Sequence, residues 1–418
     1  LAKARITAAL FLTYAVFAVL LNSVGTVILQ SENAFGVSAG SAALLDGFKD
    51  IPIAITSFLV ASFLPRLGYR RGIAIGLVMV AAACVAMRLV GAFWMTRLMF
   101  ATVGASFAVV KISVYSSVGL IARDGRDHAA RISVLEGVFM LGVLGGGWLF
   151  SLFIDPAHPA AAGWLNVYWL LAAAAAAAAL LMLVSPLDES RAIQPRATLL
   201  DSLSEAPRLL REPFMIAYLA SAFFYVLIEQ SLGTWLPTFD NKVLRLPPDV
   251  SVQIMSLFAG GIMVGRFAGG AVLSRMHWRT PLTFCLACAA VLLLIALPIA
   301  AAVRGPAHGW GDASLAAFLL PAVGLFLGPV YPTVNSAVLS ALPTERHSAM
   351  TGLIVIFSAL GGTLGSFVTG RLFGHVGGAA AFYLTLAPLA LLALGLTALK
   401  RSLDAQPPAI LSQALAAE

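Results

Sequence analysis

Charge is what this sequence has least of. Of its 418 residues only 11% are Asp, Glu, Lys or Arg, while 60% are hydrophobic. Soluble domains carry roughly a quarter charged residues. A water-facing surface cannot be built from so few charges, so most of the apolar surface must face lipid. This excludes a soluble enzyme, a nucleic-acid binder and a disordered chain. Cysteine is also scarce: Cys84, Cys285 and Cys288 all lie inside apolar runs. Cys285-Leu-Ala-Cys288 has the spacing of a redox motif, but no basic neighbour favours a thiolate there. The six histidines (His128, His158, His277, His308, His347 and His375) fall in loops or at the ends of apolar runs. No buried histidine site for a metal or a hydrolytic reaction is expected, nor any cofactor, and the chain does not read as an enzyme.

What is present is length without polarity. A membrane helix needs about 20 apolar residues, and twelve apolar runs can be placed near 6–30, 40–64, 72–90, 97–121, 131–154, 163–185, 213–239, 250–274, 281–303, 314–341, 348–371 and 377–399. They are numbered here as spans 1 to 12. The fold class predicted is an all-α membrane protein of twelve helices. The first run is too long for a signal peptide. A first residue of Leu1 is read as a trimmed or alternative start.

Basic residues set the orientation, because Lys and Arg collect in cytoplasmic loops. With the N-terminus inside, seventeen of the 26 Lys and Arg fall on the cytoplasmic side. Both termini are then cytoplasmic, in a bacterial-type inner membrane. The net charge of +7 is a topology signal and not a nucleic-acid patch. The one long polar stretch separates six spans from six. The organisation predicted is an N-terminal bundle over 1–188, a cytoplasmic linker over 189–212 with an amphipathic segment at 199–206, a C-terminal bundle over 213–401, and a disordered tail over 402–418.

The two halves repeat one another. Residues 103–118, from Val103-Gly104 through Lys111 and Tyr115 to Val118, align without gaps on 323–338, from Val323-Gly324 through Tyr331 and Asn335 to Val338, at a constant offset of 220. This pairs span 4 with span 10. Leu144-Gly145-Gly146 likewise matches Leu360-Gly361-Gly362. The loop Pro65-Arg66-Leu67-Gly68-Tyr69-Arg70 matches Ser274-Arg275-Met276-His277-Trp278-Arg279. Such parallel repeats occur in secondary transporters, with the solute site between the halves near mid-membrane. The paired loops resemble the Gly-x-x-x-Asp-Arg/Lys-x-Gly-Arg/Lys-Arg/Lys signature of the major facilitator superfamily. Arg66, Gly68, Arg70 and Arg71 fit it; Ala61 and Pro65 replace its Gly and Asp. The resemblance covers essentially the whole chain and implies two six-helix bundles related by a pseudo-two-fold axis, working as a monomer. Tyr331-Pro332-Thr333, Gly265-Arg266-Phe267 and the Tyr225 to Ser231 segment resemble the fucose-permease branch, whose members are typically proton-coupled sugar importers. Two positions depart from that branch. Lys111 stands where its members tend to carry a carboxylate, and span 1 reads Leu21-Asn22-Ser23 with no acid.

Buried charge marks the candidate site. A charge at the bilayer centre costs about 2.5–3.5 kcal/mol on insertion scales, so those that remain face protein or water. Asp46, Lys49 and Asp50 share one helical face by their spacing of three and four. Lys111 sits in the middle of span 4 and must pair with an acid, bind an anionic group or lose its proton. The expectations open for it are an ion pair with a span-2 carboxylate or contact with a solute, for which an ammonium suits a carboxylate or phosphate. Glu229 lies deep in span 7, beside Gln230 and Trp235, and is a candidate proton carrier together with Asp46 and Asp50. Glu136, near Arg131, reads as a gate residue, as do Lys49, Arg66, Arg70, Arg266 and Arg275. In span 10, Tyr331 and Asn335 share a face, and Pro332 frees a backbone carbonyl. Lys111, Tyr331, Asn335, Gln230, Trp235 and Asn22 are the candidate solute contacts. The glycine strings at 142–147 and 361–365 read as close-packing faces of spans 5 and 11.

The function expected is therefore secondary active transport of a small polar solute, plausible as an anion or zwitterion, by alternating access coupled to protons. Export of amphipathic compounds is the competing expectation and would need a less charged, more aromatic cavity. A membrane sensor is a weaker one, since no sizeable soluble output domain is present.

Overall fold

The computed structural model describes residues 2–61, 64–122, 125–187, 189, 213–273, 278–339 and 347–404. The described residues are built from helices. In the first half these are α1 (Ala2–Asn22), α2 (Val24–Phe35), α3 (Ala39–Ala42), α4 (Leu45–Ala61), α5 (Leu64–Leu67), α6 (Tyr69–Val90), α7 (Phe93–Ile121), α8 (Gly125–Ser151) and α9 (Val167–Leu183). In the second half they are α10 (Pro213–Gly233), α11 (Leu236–Lys242), α12 (Pro248–Leu273), α13 (Arg279–Ala301), α14 (Ala316–Leu327), α15 (Val330–Leu339), α16 (His347–Val376), α17 (Gly378–Tyr383) and α18 (Leu386–Asp404).

Eleven stretches among the described residues are long and apolar enough to cross a membrane. The run expected near 40–64 is not one of them. There α4 is 17 residues long, is interrupted by Pro52, and carries Asp46, Lys49 and Asp50 near its start. The linker segment at 199–206, most of the loop 274–279 and the tail beyond 404 lie outside the described residues.

Backbone contacts sort the helices into two units. One holds α1 to α9 together with Pro247–Ser256, the start of α12; the other holds α10, α11, the rest of α12, and α13 to α18. The same pairings recur inside each. In the first, α1 packs on α8 and α9, and α6 on α7 and α9. In the second, α10 packs on α16 and α18, and α13 on α14 and α18. The glycine strings of spans 5 and 11 thus lie on the helices that pack against α1 and α10.

One contact is duplicated at the atomic level. A Cβ on Gly104 of α7 would strike the backbone oxygen of Lys49 in α4, and a Cβ on Gly324 of α14 would strike that of Phe258 in α12. The two glycines sit at equivalent repeat positions, and each lets two helix backbones touch, the device that membrane helices use where no hydrophobic effect draws them together.

Large apolar side chains such as Leu89, Leu141, Phe267 and Leu394 lie exposed on the helix surfaces, a distribution suited to lipid. Several spans are interrupted, span 12 among them, between α17 and α18. Span 1 breaks at Ser23, whose hydroxyl donates to the Leu20 carbonyl at 2.8 Å. Span 7 breaks at Thr234-Trp235, between α10 and α11. Span 10 breaks at Gly328-Pro329, between α14 and α15. Pro329 has no N–H to continue the ladder, so the break falls one turn before the Pro332 singled out from the sequence.

Candidate functional site

In the first unit the polar residues fall into two groups. The first is on α4. Lys49 Nζ lies 2.8 Å from Asp46 Oδ1 and 3.5 Å from Asp50 Oδ1. Asp46 is completely buried and Asp50 is 16% exposed along its side chain. The predicted shared face is therefore realised as a self-paired triplet. One ammonium serves two carboxylates, which leaves neither for Lys111.

The second group runs along α7 and faces α1 and α8. Lys111 is exposed, and its ammonium sits 5.7 Å from the centre of the Phe107 ring one turn earlier. No acid among the described residues forms an ion pair with it. Of the two expectations held for Lys111, pairing with a span-2 carboxylate is not what forms. Phe107 meets Phe17 of α1 at 5.6 Å and Phe139 of α8 at 6.0 Å. One turn past Lys111, the Tyr115 hydroxyl donates to Glu136 Oε1 at 2.5 Å. Tyr14 of α1 sets its ring edge-on to Phe139 at 5.7 Å. Its buried hydroxyl meets the Tyr115 hydroxyl and lies within electrostatic reach of Glu136.

Glu136 corrects an expectation. It does not pair with Arg131, whose Nε donates instead to Asp127 Oδ1 at 2.9 Å. The reason is spacing: Asp127 and Arg131 are four apart and share a helix face, while Glu136 turns toward α7. Asn22 ends α1 with its amide donating to the Ala18 carbonyl at 2.9 Å, one turn back. The backbone N–H of Arg70 donates to Glu189 Oε1 at 2.7 Å, so an acid does reach this loop. The Arg66 side chain and Arg275 lie outside the described residues.

The second unit carries an aromatic counterpart. Tyr331 of α15 stacks on Tyr225 of α10, with ring centres 5.3 Å apart and planes at 26°. Its hydroxyl is 3.2 Å from Ser358 Oγ on α16. One turn on, Asn335 Oδ1 accepts from the Tyr218 hydroxyl at 2.6 Å. Glu229 and Arg266 both act electrostatically on Tyr225, and Arg266 is exposed. Glu229 and Gln230 are half-buried and engaged with neighbours. Trp235 is fully buried, donates from Nε1 to the Ser366 carbonyl at 3.0 Å, and lies against Phe373 at 5.6 Å. It packs the bundle here and faces no open space.

Sequence reasoning did not single out Tyr14, Tyr218 or Ser358, and it quoted Tyr115 only as part of the repeat. A signal for Tyr115 was available: it stands one turn from Lys111 and 220 residues before Asn335. Asp240 of α11 was also passed over, although it is completely buried with neither carboxylate oxygen hydrogen-bonded.

Together these features define a multi-pass membrane transporter, with polar clusters held at membrane depth by helices that expose apolar surface around them. The chain belongs to the Major Facilitator Superfamily, whose family model matches residues 6–366. It is therefore a transporter and not an enzyme. It is similar to a glucose/galactose transporter of Brucella abortus, at 25% identity over 338 residues, 77% of this chain and 76% of that one. Among solved structures it resembles the E. coli fucose:proton symporter FucP, with a TM-score of 0.56 and 17% identity over 94% of this chain and 97% of that one. It also resembles the nucleoside transporter NupG, with a TM-score of 0.73 and 15% identity over 95% and 98% of the two chains.

Proposed function

We propose that this protein is a secondary active transporter of a small polar, sugar-type solute that carries a carboxylate or zwitterionic group. It works as a monomer of twelve spans, with α4 as the second, arranged as two six-helix bundles about a pseudo-two-fold axis. Both termini are cytoplasmic in a bacterial-type inner membrane. The solute site opens alternately to each side, and protons supply the driving force.

One observation carries the reading: Lys111 is an exposed cation at mid-span with no acid among the described residues paired to it, while Lys49 is paired with both acids of α4. An unneutralised ammonium at that depth is costly, and an anionic solute removes the cost. The sugar class draws support from the glucose/galactose and fucose relatives. It also draws support from the aromatic surfaces beside each cluster, Phe107 in one unit and the Tyr225–Tyr331 stack in the other, because sugar rings lay their C–H faces on aromatic rings. Tyr331 and Asn335 supply hydrogen-bonding groups in the second unit, and Asn22 and Gln230 remain candidates for solute contact.

The test is uptake into proteoliposomes from a panel of D-galactose, D-glucose, D-galacturonate and D-glucosamine, with and without an inward proton gradient. The acidic sugar is expected to accumulate best, and the gradient to raise its accumulation. Equal uptake of all four would remove the charge preference. Uptake insensitive to the gradient would remove the coupling.

A further inference from the structure

We propose that the end of the second unit opposite Pro213 and Asp404 is a basic collar that captures anionic solutes before they enter the transport path. The inference rests on the proposed function for its solute and for its orientation, which makes this end the outer one.

Three segments meet here: the turn after α11, the loop between α13 and α14, and the junction of α16 with α17. Arg245 of the turn donates from Nη1 to the Arg304 carbonyl at 2.9 Å, and its own carbonyl accepts from the Ala307 N–H at 3.1 Å. A Cβ on Gly378, the first residue of α17, would strike the Val243 side chain, so the junction lies against the same turn. These segments carry Lys242, Arg245, Arg304 and Arg371, all exposed. Among the described residues no acid forms an ion pair with any of the three arginines. Arg371 lies over the Phe367 ring at 5.3 Å, one turn back on α16. The acids of this end balance little of the charge. Asp240 is completely buried, and Asp312 is turned to its own loop, where Oδ2 accepts from the His308 N–H at 3.0 Å.

Two features mark the patch as built. Lys and Arg are normally scarce in outer loops, because they set orientation, and four permanent cations at one outer end run against that bias. Arg245 also has a φ of 57°, the one left-handed backbone among the described residues that are not glycine. A side chain crowds the backbone there, and Gly or Asn is the usual occupant. Such conformations persist where the surroundings fix them, and they gather at functional sites. Here the two hydrogen bonds to the neighbouring loop fix the turn, and they hold like charges on adjoining segments. Charge of one sign gathered on a low-dielectric surface raises the association rate of the opposite charge by about 10- to 1,000-fold. Its reach is about 10 Å at 0.1 M salt and about 30 Å at 0.01 M. A carboxylated solute is therefore concentrated at this end, and a neutral sugar is not. The collar selects by the same sign of charge as Lys111 does in the first unit.

The first arm of the test needs no transported solute. A fluorophore is attached through Gly305→Cys, where the loop has open space, in a chain carrying Cys285→Ser and Cys288→Ser. The protein is reconstituted in phosphatidylcholine liposomes with this end outward. Relative to neutral acrylamide, iodide is expected to quench about threefold more efficiently in about 0.01 M salt than in about 1 M salt. Arg245→Gly combined with Arg304→Gln is expected to abolish that excess. Glycine suits the left-handed turn, so the charge is lost while the backbone is kept. No excess in the wild type overturns the proposal, as does an equal excess in the double variant. The first of these results, together with retention of spin-labelled phosphatidylglycerol by the wild type alone, would assign the arginines to lipid headgroups.

The second arm measures initial uptake of D-galacturonate and D-galactose. In low salt the double variant is expected to lose about three- to tenfold in kcat/KM for galacturonate, with kcat unchanged and galactose unaffected. In high salt the two proteins are expected to agree. An unchanged kcat/KM for galacturonate in low salt, or an equal loss for galactose, overturns the role in capture. Absence of galacturonate uptake by the wild type would sink the proposed solute class, while the quenching arm would still decide whether this end concentrates anions.

Discussion

Positions 111 and 115 of α7 and positions 331 and 335 of α15 are the same places in a repeated unit, and their chemistry has diverged. In the first unit the pair is Lys111 and Tyr115, linked to a carboxylate on α8. In the second it is Tyr331 and Asn335, linked to tyrosines on α10 and a serine on α16. Each position 115 or 335 holds a short hydrogen bond to a neighbouring helix; in the first unit a cation stands in the pair itself, while in the second the charges, Glu229 and Arg266, act on Tyr225 behind the stacked ring. The scaffold beneath is unchanged, since Gly104 and Gly324 seat the two helices against neighbouring carbonyls in the same way. The duplicated framework holds position, and the side chains it carries differ from one half to the other.

The largest expected effect comes from erasing the difference. Lys111→Tyr gives α7 the residue found at the repeat position in α15. Uptake of D-galacturonate is expected to fall about a hundredfold, the worth of one hydrogen bond between charged groups, and D-galactose uptake to fall much less. A proportional loss of both sugars would mean that Lys111 supports the fold and not the choice of solute.

Next in size is the α4 triplet. Asp46→Asn strips a fully buried ammonium contact at 2.8 Å, and removing one partner of a buried pair costs about 3–5 kcal/mol. Asp50 is partly open and 3.5 Å away, so Asp50→Asn is expected to cost about 1 kcal/mol or less. Thermal unfolding in detergent ranks the two, and the reverse order would show that Asp50 carries the pair.

Gly104→Ala and Gly324→Ala test the shared scaffold. Each drives a methyl into a backbone oxygen, and overpacking of that kind costs about 1–3 kcal/mol. Nearly equal losses are expected in the same melting assay; a large inequality would break the equivalence of the halves.

The smallest effect lies outside the membrane. The Asp155 carboxyl, in the loop after α8, is held below its ordinary value of 3.8, chiefly by its hydrogen bond with His158. A carboxyl so lowered stabilises the fold at pH above that value and loses its contribution as pH falls through the range below it. Asp155→Asn is therefore expected to melt slightly below the wild type at neutral pH and to match it in acid. Because the pair is exposed, the difference is small.

Much of the fold was legible because lipid imposes simple demands. Span length and hydropathy are readable one residue at a time, and the offset of 220 needs only alignment of the chain with itself. The α4 triplet was equally plain, since its spacing of three and four fixes one face. The clusters were half legible. Lys111, Tyr331 and Asn335 stand out as polar residues at membrane depth, but their partners come from other helices. Tyr115 and Glu136 are 21 residues apart, and Tyr218 and Asn335 are 117 apart. No local period connects such pairs. Glu136 was misread because Arg131 is its nearest basic residue along the chain, although Asp127 stands at the better spacing for that arginine. Trp235 was read as a solute contact because it lies near Glu229, and only packing reveals that Ser366 and Phe373 enclose it.

The matched glycine seats also have a practical use. Gly104 and Gly324 seat equivalent stretches of chain against neighbouring carbonyls, but exchanging 106–118 with 326–338 would put Ala108 at position 328, where a Cβ meets the Ile262 backbone oxygen, so a cassette swap must keep Gly328. A chimera that keeps Gly328 and otherwise carries two copies of one cassette would present the same side chains in both units. On the function proposed above, such a chimera shifts solute preference by the transplant of a few turns of helix.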